Sequence, residues 1–227
     1  MAYLFVRRNT NGIVDMRIVA ALTDPAQASR AQEQGADIAE LRFDLMEGDP
    51  VSMVQECRDA CSMPIIATLR SAQEGGRFFG SAEGWFEKIQ PLVPLVDFID
   101  IEQRFASCAT SIKQAGTTII ASHHTGKMIP LHDLFILERD LRAYGDIVKI
   151  IVTPFNEDDI INLIAFTHAI KKPLCTGVMG TRFRYTRAIL PLFGSDLVYC
   201  HAGTETADGQ YSIDEFVQLM TLLTGGP

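Results

Sequence analysis

The sequence predicts an α/β fold, a parallel eight-stranded (β/α)8 barrel, with residues 1–227 as one domain. Three observations carry that expectation. Short apolar runs recur at 16–22, 37–44, 64–70, 97–102, 117–124, 147–154, 173–179 and 197–203. Each is rich in Ile, Val and Leu and has the length of a strand buried on both faces. Helix-like segments separate the runs, and the unit repeats about every 28 residues, the period of such a barrel. The competitor is a doubly wound open sheet. No G-x-G-x-x-G follows the first run and no P-loop is present, so the nucleotide-binding forms of that sheet find no support.

The elements follow in order once residues 1–15 are set aside. After MRIVAAL comes PAQASRAQEQG, a helical pattern with a stop at Gly35. DIAELRFD and PIIATLR are the second and third strands. SAEGWFEKIQPLV then opens on a Ser81 cap and holds Trp85, the single tryptophan. DFIDIE, TTIIASHH and IVKIIVTP follow as strands four to six. NEDDIINLIAFTHAIKK opens on Asn156 with an acidic first turn and ends in lysines, which suits the helix dipole. PLCTGVM and LVYCHAG are the last strands, and SIDEFVQLMTLL is a closing helix capped by Ser212. No linker or low-complexity tract interrupts the alternation.

Composition narrows the function classes. Apolar residues at 47% and charged residues at 21% form an ordinary globular mix, so disorder and coiled coil are excluded. Twenty-eight acidic against 20 basic residues give a net charge of −8, which argues against nucleic-acid binding but leaves room for a local anion pocket. Five cysteines, Cys57, Cys61, Cys108, Cys175 and Cys200, show no zinc spacing and read as reduced thiols of a cytoplasmic protein. MAYLFVRRNTNG has no apolar stretch long enough for a signal peptide, and no run is long enough for a membrane span.

A barrel places chemistry at the C-terminal ends of its strands, and the polar residues there are unusual. Glu40, Arg42 and Asp44 share one strand face by period two. They form either an internal ion-pair network or a pocket for a hydroxylated or anionic ligand. Arg70 ends the third strand, and Glu74 follows in a loop that turns on Gly75-Gly76; the plain alternative for Glu74 is a surface salt bridge. Asp97, Asp100 and Glu102 lie on strand four, some of them structural, with no metal-ligand pattern. Ser122-His123-His124 end strand five. Neighbours on a strand point to opposite faces, so one histidine faces the pocket and suits proton transfer near neutral pH. Lys149 stands inside an apolar strand. Burial without a partner favours the neutral amine, the nucleophile of Schiff-base chemistry; the alternative is a lysine paired to an interior carboxylate. Arg182, Arg184 and Arg187 follow strand seven, where barrels often bind anions, or else form a solvated face. The loop 204–210 is polar and holds a glycine, as a closing lid or an ordinary turn does.

These residues fall into blocks: E-x-R-x-D at 40–44, T-x-R-x-x-x-E-G-G at 68–76, S-x-H at 122–124 and V-K-I at 148–150. Thr186-Arg187 with Phe193-Gly194-Ser195 forms a fifth block, and T-A-x-G-Q at 206–210 a sixth. Six blocks in this order resemble the type I 3-dehydroquinate dehydratases, from strand two to the final helix. The chain departs from the family pattern at Thr125-Gly126 after His124, at Thr206 where serine is usual, and at Ala20-Ala21 where a small polar residue is common.

The resemblance implies a lyase that dehydrates 3-dehydroquinate to 3-dehydroshikimate in the shikimate pathway. It assigns Lys149 as imine-forming nucleophile, His124 as base then acid, and Glu74 as the group orienting His124. Arg187 holds the substrate carboxylate, Glu40, Arg42 and Arg70 the ring hydroxyls, Thr206 and Gln210 the lid, and Met179 packs on the ring with Tyr199 nearby. It implies no metal and no cofactor beyond the covalent imine, a cytoplasmic location, and often a homodimer. Two other readings stay open here: a class I aldolase, and a non-catalytic metabolite-binding barrel.

Overall fold

The computed structural model describes residues 16–225, so the absence of a signal peptide in the first residues, and the outer ends of the 1–227 domain, lie outside it. Eight strands alternate with eight helices as a (β/α)8 TIM barrel. The strands are β1 (Arg17–Leu22), β2 (Ile38–Arg42), β3 (Ile65–Thr68), β4 (Phe98–Glu102), β5 (Thr118–His124), β6 (Ile147–Val152), β7 (Leu174–Val178) and β8 (Leu197–His201). The helices are α1 (Ala28–Glu33), α2 (Pro50–Ala60), α3 (Ala82–Ile89), α4 (Ala109–Gln114), α5 (Leu131–Arg142), α6 (Glu157–Ala169), α7 (Thr186–Ile189) and α8 (Ile213–Thr224). Each strand falls inside one of the eight apolar runs. Every ladder is parallel, in the order β7-β6-β5-β4-β3-β2-β1-β8.

Caps fix the helix starts. Ser81 accepts the Gly84 N–H at the start of α3, and Asn156 and Ser212 complete capping boxes with Asp159 and Glu215. One detail differs from expectation. Helix α6 stops at Ala169 because the chain turns extended at Ile170 to enter β7, so Lys171 and Lys172 lie beyond its last turn.

The seam between β7 and β8 carries a backbone bond, from the Asp196 N–H to the Leu174 carbonyl at 2.7 Å, beside side-chain bonds. Ser195 Oγ accepts the Thr176 N–H at 3.0 Å, and Asp196 Oδ2 accepts the Leu174 N–H at 2.7 Å. Aspartates repeat this device around the N-terminal end of the barrel. Asp37 accepts from Ile18, Asp97 from Ile65, and Asp146 from Ile119, each across one strand boundary at 2.8–2.9 Å. Asp97 is therefore the structural member of the strand-four acids.

Alternate residues point inward and form layers. Val19, Ile38, Ile66, Phe98, Ile120, Ile147, Cys175 and Leu197 make an apolar floor. Two residues further along their strands stand Glu40, Thr68, Asp100, Ser122, Lys149 and Tyr199. The next step brings Arg42, Arg70, Glu102 and His124 to the C-terminal rim. The outward-facing residues pack under the helices, with Trp85 stacked on Phe105 at 4.9 Å. One barrel pattern thus puts a closed floor beneath a polar chamber.

Candidate active site

A cavity of about 370 Å³ opens at the C-terminal ends of the strands, within the range of small-ligand sites. All ten site residues expected from the sequence line it: Lys149, His124, Glu74, Glu40, Arg42, Arg70, Arg187, Thr206, Gln210 and Met179. The geometry sorts them into different jobs.

Lys149 rises from β6 at the centre of the chamber and is 3% exposed. It is not an unpaired lysine in an apolar wall. Nζ lies 3.1 Å from Asp100 Oδ2 and 3.8 Å from Glu40 Oε1, and it sits 3.7 Å from the centroid of the Tyr199 ring. The reason is period two: residues 40, 100 and 149 all fall on inward positions of the same layer. Burial alone would raise the Asp100 carboxyl, but Arg70 and Lys149 hold it down at about 2. Asp100 therefore stays ionised and is a poor proton acceptor.

Arg70 is the hub of this layer. Its guanidinium meets Asp100 at 2.8 Å, Glu102 at 3.1 Å, Glu74 at 3.4 Å and Ser122 at 3.0 Å. Burial opposes its charge, yet Asp100 and Glu102 hold it protonated beyond its usual range. With its donors so engaged, Arg70 arranges carboxylates rather than reaching for a ligand. Gly76 makes the loop above it possible, since a Cβ there would stand 2.2 Å from the Arg70 carbonyl oxygen. Glu102 anchors the same loop by accepting from both the backbone N–H and the hydroxyl of Ser71.

Glu74 is buried beneath this turn and does not form a surface salt bridge. Its Oε2 lies 2.9 Å from His124 Nδ1 and accepts the His124 backbone N–H at 3.0 Å. Burial pushes the Glu74 carboxyl up to about 8, against the pull of Arg70. A proton on Glu74 then sits on Oε1, so Oε2 remains an acceptor in either charge state. Nδ1 is the donor, and Nε2 keeps its lone pair. Burial, then Arg70 and Lys149, hold His124 well below the ordinary histidine range, so it is neutral with Nε2 unprotonated. His123 lies on the other side of Glu74, its Nδ1 3.7 Å from Oε1, and lines a separate, more open recess.

Arg42 makes two bonds to Asp44, Nε and Nη2 each at 2.9 Å. Asp44 lies past the strand end and folds back, so the E-x-R-x-D face is partly an internal ion pair. Glu40 accepts from Thr68 at 2.8 Å. The three arginines after β7 do three different things. Arg182 stacks on Phe183, Arg184 pairs with Glu215, and Arg187 enters the cavity. Among the described residues no carboxylate lies within 4.0 Å of Arg187, and its buried Nε has no partner. Among the described residues its guanidinium makes one hydrogen bond, from Nη2 to the Asp208 carbonyl at 3.3 Å. Burial lowers its affinity for the proton it carries. The half-buried guanidinium thus faces the cavity with a buried Nε that has no partner among the described residues.

The 204–210 loop closes over Arg187. Gln210 Oε1 accepts from the Thr206 backbone and hydroxyl at 3.0 and 3.1 Å. Gly209, at φ +75, packs so close that a Cβ would stand 2.5 Å from the Gly180 carbonyl oxygen. Met179 packs at the edge of the apolar floor.

This arrangement coincides with a known family. Residues 16–227 match the model of the type I 3-dehydroquinases. The chain belongs to the type I 3-dehydroquinase family. It is 66% identical over 209 residues to the 3-dehydroquinate dehydratase of Methanoregula boonei, covering 92% of this chain and all of that protein. It is 36% identical to the 3-dehydroquinate dehydratase of Methanospirillum hungatei, over 93% of this chain and 82% of the relative. The crystal structure of the 3-dehydroquinate dehydratase from Aquifex aeolicus superposes with a TM-score of 0.81 at 28% identity, over 91% of this chain and 98% of that one.

Against the family blocks, the chain's departures have local explanations. Thr125 follows His124, but orientation of the imidazole comes from Glu74 and so does not depend on that position. Thr206 keeps the hydroxyl and uses it on Gln210. Sequence reasoning did not single out Asp100 as the partner of Lys149, nor the tie from Ser122 to Arg70 and Asp100. Both are inward by strand parity, and that parity was the available signal. Among the described residues no cluster of three His, Cys, Asp or Glu has a geometry that could hold a metal ion, and no helix is long and apolar enough to cross a membrane.

Proposed function

We propose that this member of the type I 3-dehydroquinases dehydrates 3-dehydroquinate to 3-dehydroshikimate through an imine on Lys149. The observation that carries the reading is one cavity holding a buried lysine, a neutral histidine and an anion-seeking arginine.

The substrate carboxylate pairs with Arg187, which sets the ring ketone over Lys149. The ammonium of Lys149 first gives up a proton. Asp100, held near 2, does not take it, and His124 is the available base. The amine adds to the carbonyl carbon. The oxygen leaves as water with the returned proton, so ammonium plus ketone gives iminium plus water. His124 then removes the proton on the carbon next to the iminium, forming a neutral enamine. The enamine expels the hydroxyl beta to it as water, using the proton from His124, and a conjugated iminium results. Hydrolysis frees the product and restores the ammonium. Glu74 holds the imidazole through Oε2, which accepts from Nδ1 whether or not the carboxyl is ionised. Glu40, Arg42, Thr206 and Gln210 are placed to contact ring hydroxyls, and Met179 to pack on the ring.

The lysine is the electron sink, so the scheme needs neither a metal nor a nicotinamide. A single catalytic domain spanning 1–227, a homodimer and a cytoplasmic location belong to the same reading; the five free cysteines suit a reducing compartment. Adding 3-dehydroquinate and sodium borohydride, then measuring intact mass and mapping peptides, tests it. A reduced adduct on Lys149 that has lost water is the expected result, with none in Lys149→Ala. An adduct retaining that water, or full activity of Lys149→Ala, overturns the scheme.

A further inference from the structure

Tyr199 lies on the inward face of β8, and its ring is stacked against the reacting nitrogen at 3.7 Å. Its hydroxyl is buried and has no hydrogen-bond partner among the described residues. Orphaned buried hydroxyls are destabilising, so hydrogen bonding does not explain why a tyrosine sits there. The contact between ring face and Lys149 accounts for an aromatic ring at this position. Burial, helped by Glu40, keeps the phenol protonated, so the ring acts as a neutral π system.

We propose that the Tyr199 ring is a catalytic electrostatic group, its π face stabilising the positive charge on the Lys149 nitrogen in both iminium states. This inference rests on the imine chemistry above. The ammonium has three N–H groups, and an iminium has one. Forming the imine therefore strips hydrogen bonds from the nitrogen while leaving its charge. A hydrogen bond to Asp100 or Glu40 depends on which N–H survives. The ring's quadrupole attracts the charge itself and needs no N–H. The contact is also desolvated, the condition under which such attraction is strongest.

The charge accounting gives the direction of each effect. Ammonium and substrate iminium both carry one positive charge, the enamine carries none, and the conjugated iminium regains it. The ring thus holds ammonium and substrate iminium alike and assists expulsion of the hydroxyl, the step that recreates the charge. It works against the enamine.

Replacing Tyr199 with phenylalanine, then with mono-, di- and trifluorinated phenylalanines, tests this without emptying the site. Fluorine withdraws π density while the ring's shape is nearly kept. Borohydride-trapped adduct at a fixed 3-dehydroquinate concentration, kcat, KM and Tm are read for each. Tyr199→Phe is expected to trap and turn over within about twofold of wild type, with a raised Tm because the orphaned hydroxyl is gone. Across the fluorinated series kcat should fall by roughly fivefold to thirtyfold in all, with the trapped fraction and Tm held near those of Tyr199→Phe. A flat series overturns the inference, as does a collapse of activity in Tyr199→Phe. If wild type itself yields no adduct, the imine reading has failed, an outcome distinct from a flat series.

Discussion

Glu74 holds His124 through a single oxygen: Oε2 lies 2.9 Å from Nδ1 and 3.0 Å from the backbone N–H of the same residue. The two contacts fix both the tautomer and the ring plane, and leave Nε2 for the substrate. In Glu74→Gln an amide oxygen can keep both contacts, but the side chain can no longer ionise in response to the imidazolium. We expect kcat to fall on the order of a hundredfold with KM little changed. Unchanged kcat would remove Glu74 from the mechanism.

The same substitution makes a stability prediction of definite sign. Glu74 has its carboxyl raised to about 8 in the fold, above its ordinary unfolded value. The folded state therefore binds the extra proton, and stability is lost as pH rises from about 4.5 to 8. Glutamine cannot ionise. Urea unfolding should find Glu74→Gln gaining on wild type through that window and more stable above pH 8. A constant difference between the two proteins across the window would contradict the assignment.

Asp100 has the opposite sign. Arg70 and Lys149 hold its carboxyl at about 2, below its unfolded value. Its contribution is present above about pH 4 and lost as pH falls through 2, and amounts to about 2 kcal/mol. Asp100→Asn should flatten wild type's loss of stability between pH 4 and 2. At pH 7 it should cost about 3 kcal/mol, because Arg70 and Lys149 lose a shared buried partner. Circular dichroism melts across this range decide the point.

These residues mark where the sequence was legible. Strand parity places Glu40 and Lys149 inward, and the eight apolar runs locate all eight strands. Caps at Ser81, Asn156 and Ser212 locate α3, α6 and α8. Helices α4 and α7 run six and four residues, too short for a hydrophobic period to emerge. Helix α2 did carry a signal, Asp49 as cap with Pro50 at the first turn. The partners of Lys149 were harder. Asp97, Asp100 and Glu102 look alike in sequence. One caps a neighbouring strand, one meets the lysine and one ties down a loop. Strand parity sets Asp97 apart; the inter-strand stagger separates Asp100 from Glu102, and short-range pattern does not encode it.

Arg187 is half-buried, with a buried Nε and no carboxylate partner among the described residues. Substrate carboxylate would supply two parallel charge-assisted hydrogen bonds. Arg187→Ala should raise KM roughly tenfold to hundredfold, and kcat should fall less. Arg187→Lys should recover part of the binding, since an ammonium keeps the charge and loses the paired geometry. A KM for Arg187→Ala equal to wild type would place the carboxylate elsewhere in the cavity.

Ser195 makes a prediction about the barrel rather than the chemistry. It belongs to the F-G-S block that resembles the family, yet it does not line the cavity. Its hydroxyl accepts the Thr176 N–H at 3.0 Å and lies 3.2 Å from the Thr176 and Leu197 carbonyl oxygens, across the β7–β8 seam. Among the described residues the backbone bond across this seam runs from the Asp196 N–H to the Leu174 carbonyl, and the hydroxyl adds to it. Ser195→Ala leaves the Thr176 N–H buried and unpaired, at about 2 kcal/mol. The expected result is a lower Tm and faster hydrogen exchange confined to β7 and β8, with KM for substrate held near wild type. Arg187 begins its helix from the same segment, so a large rise in KM would mean that the seam also positions the carboxylate receptor, and Ser195 would then belong to the site.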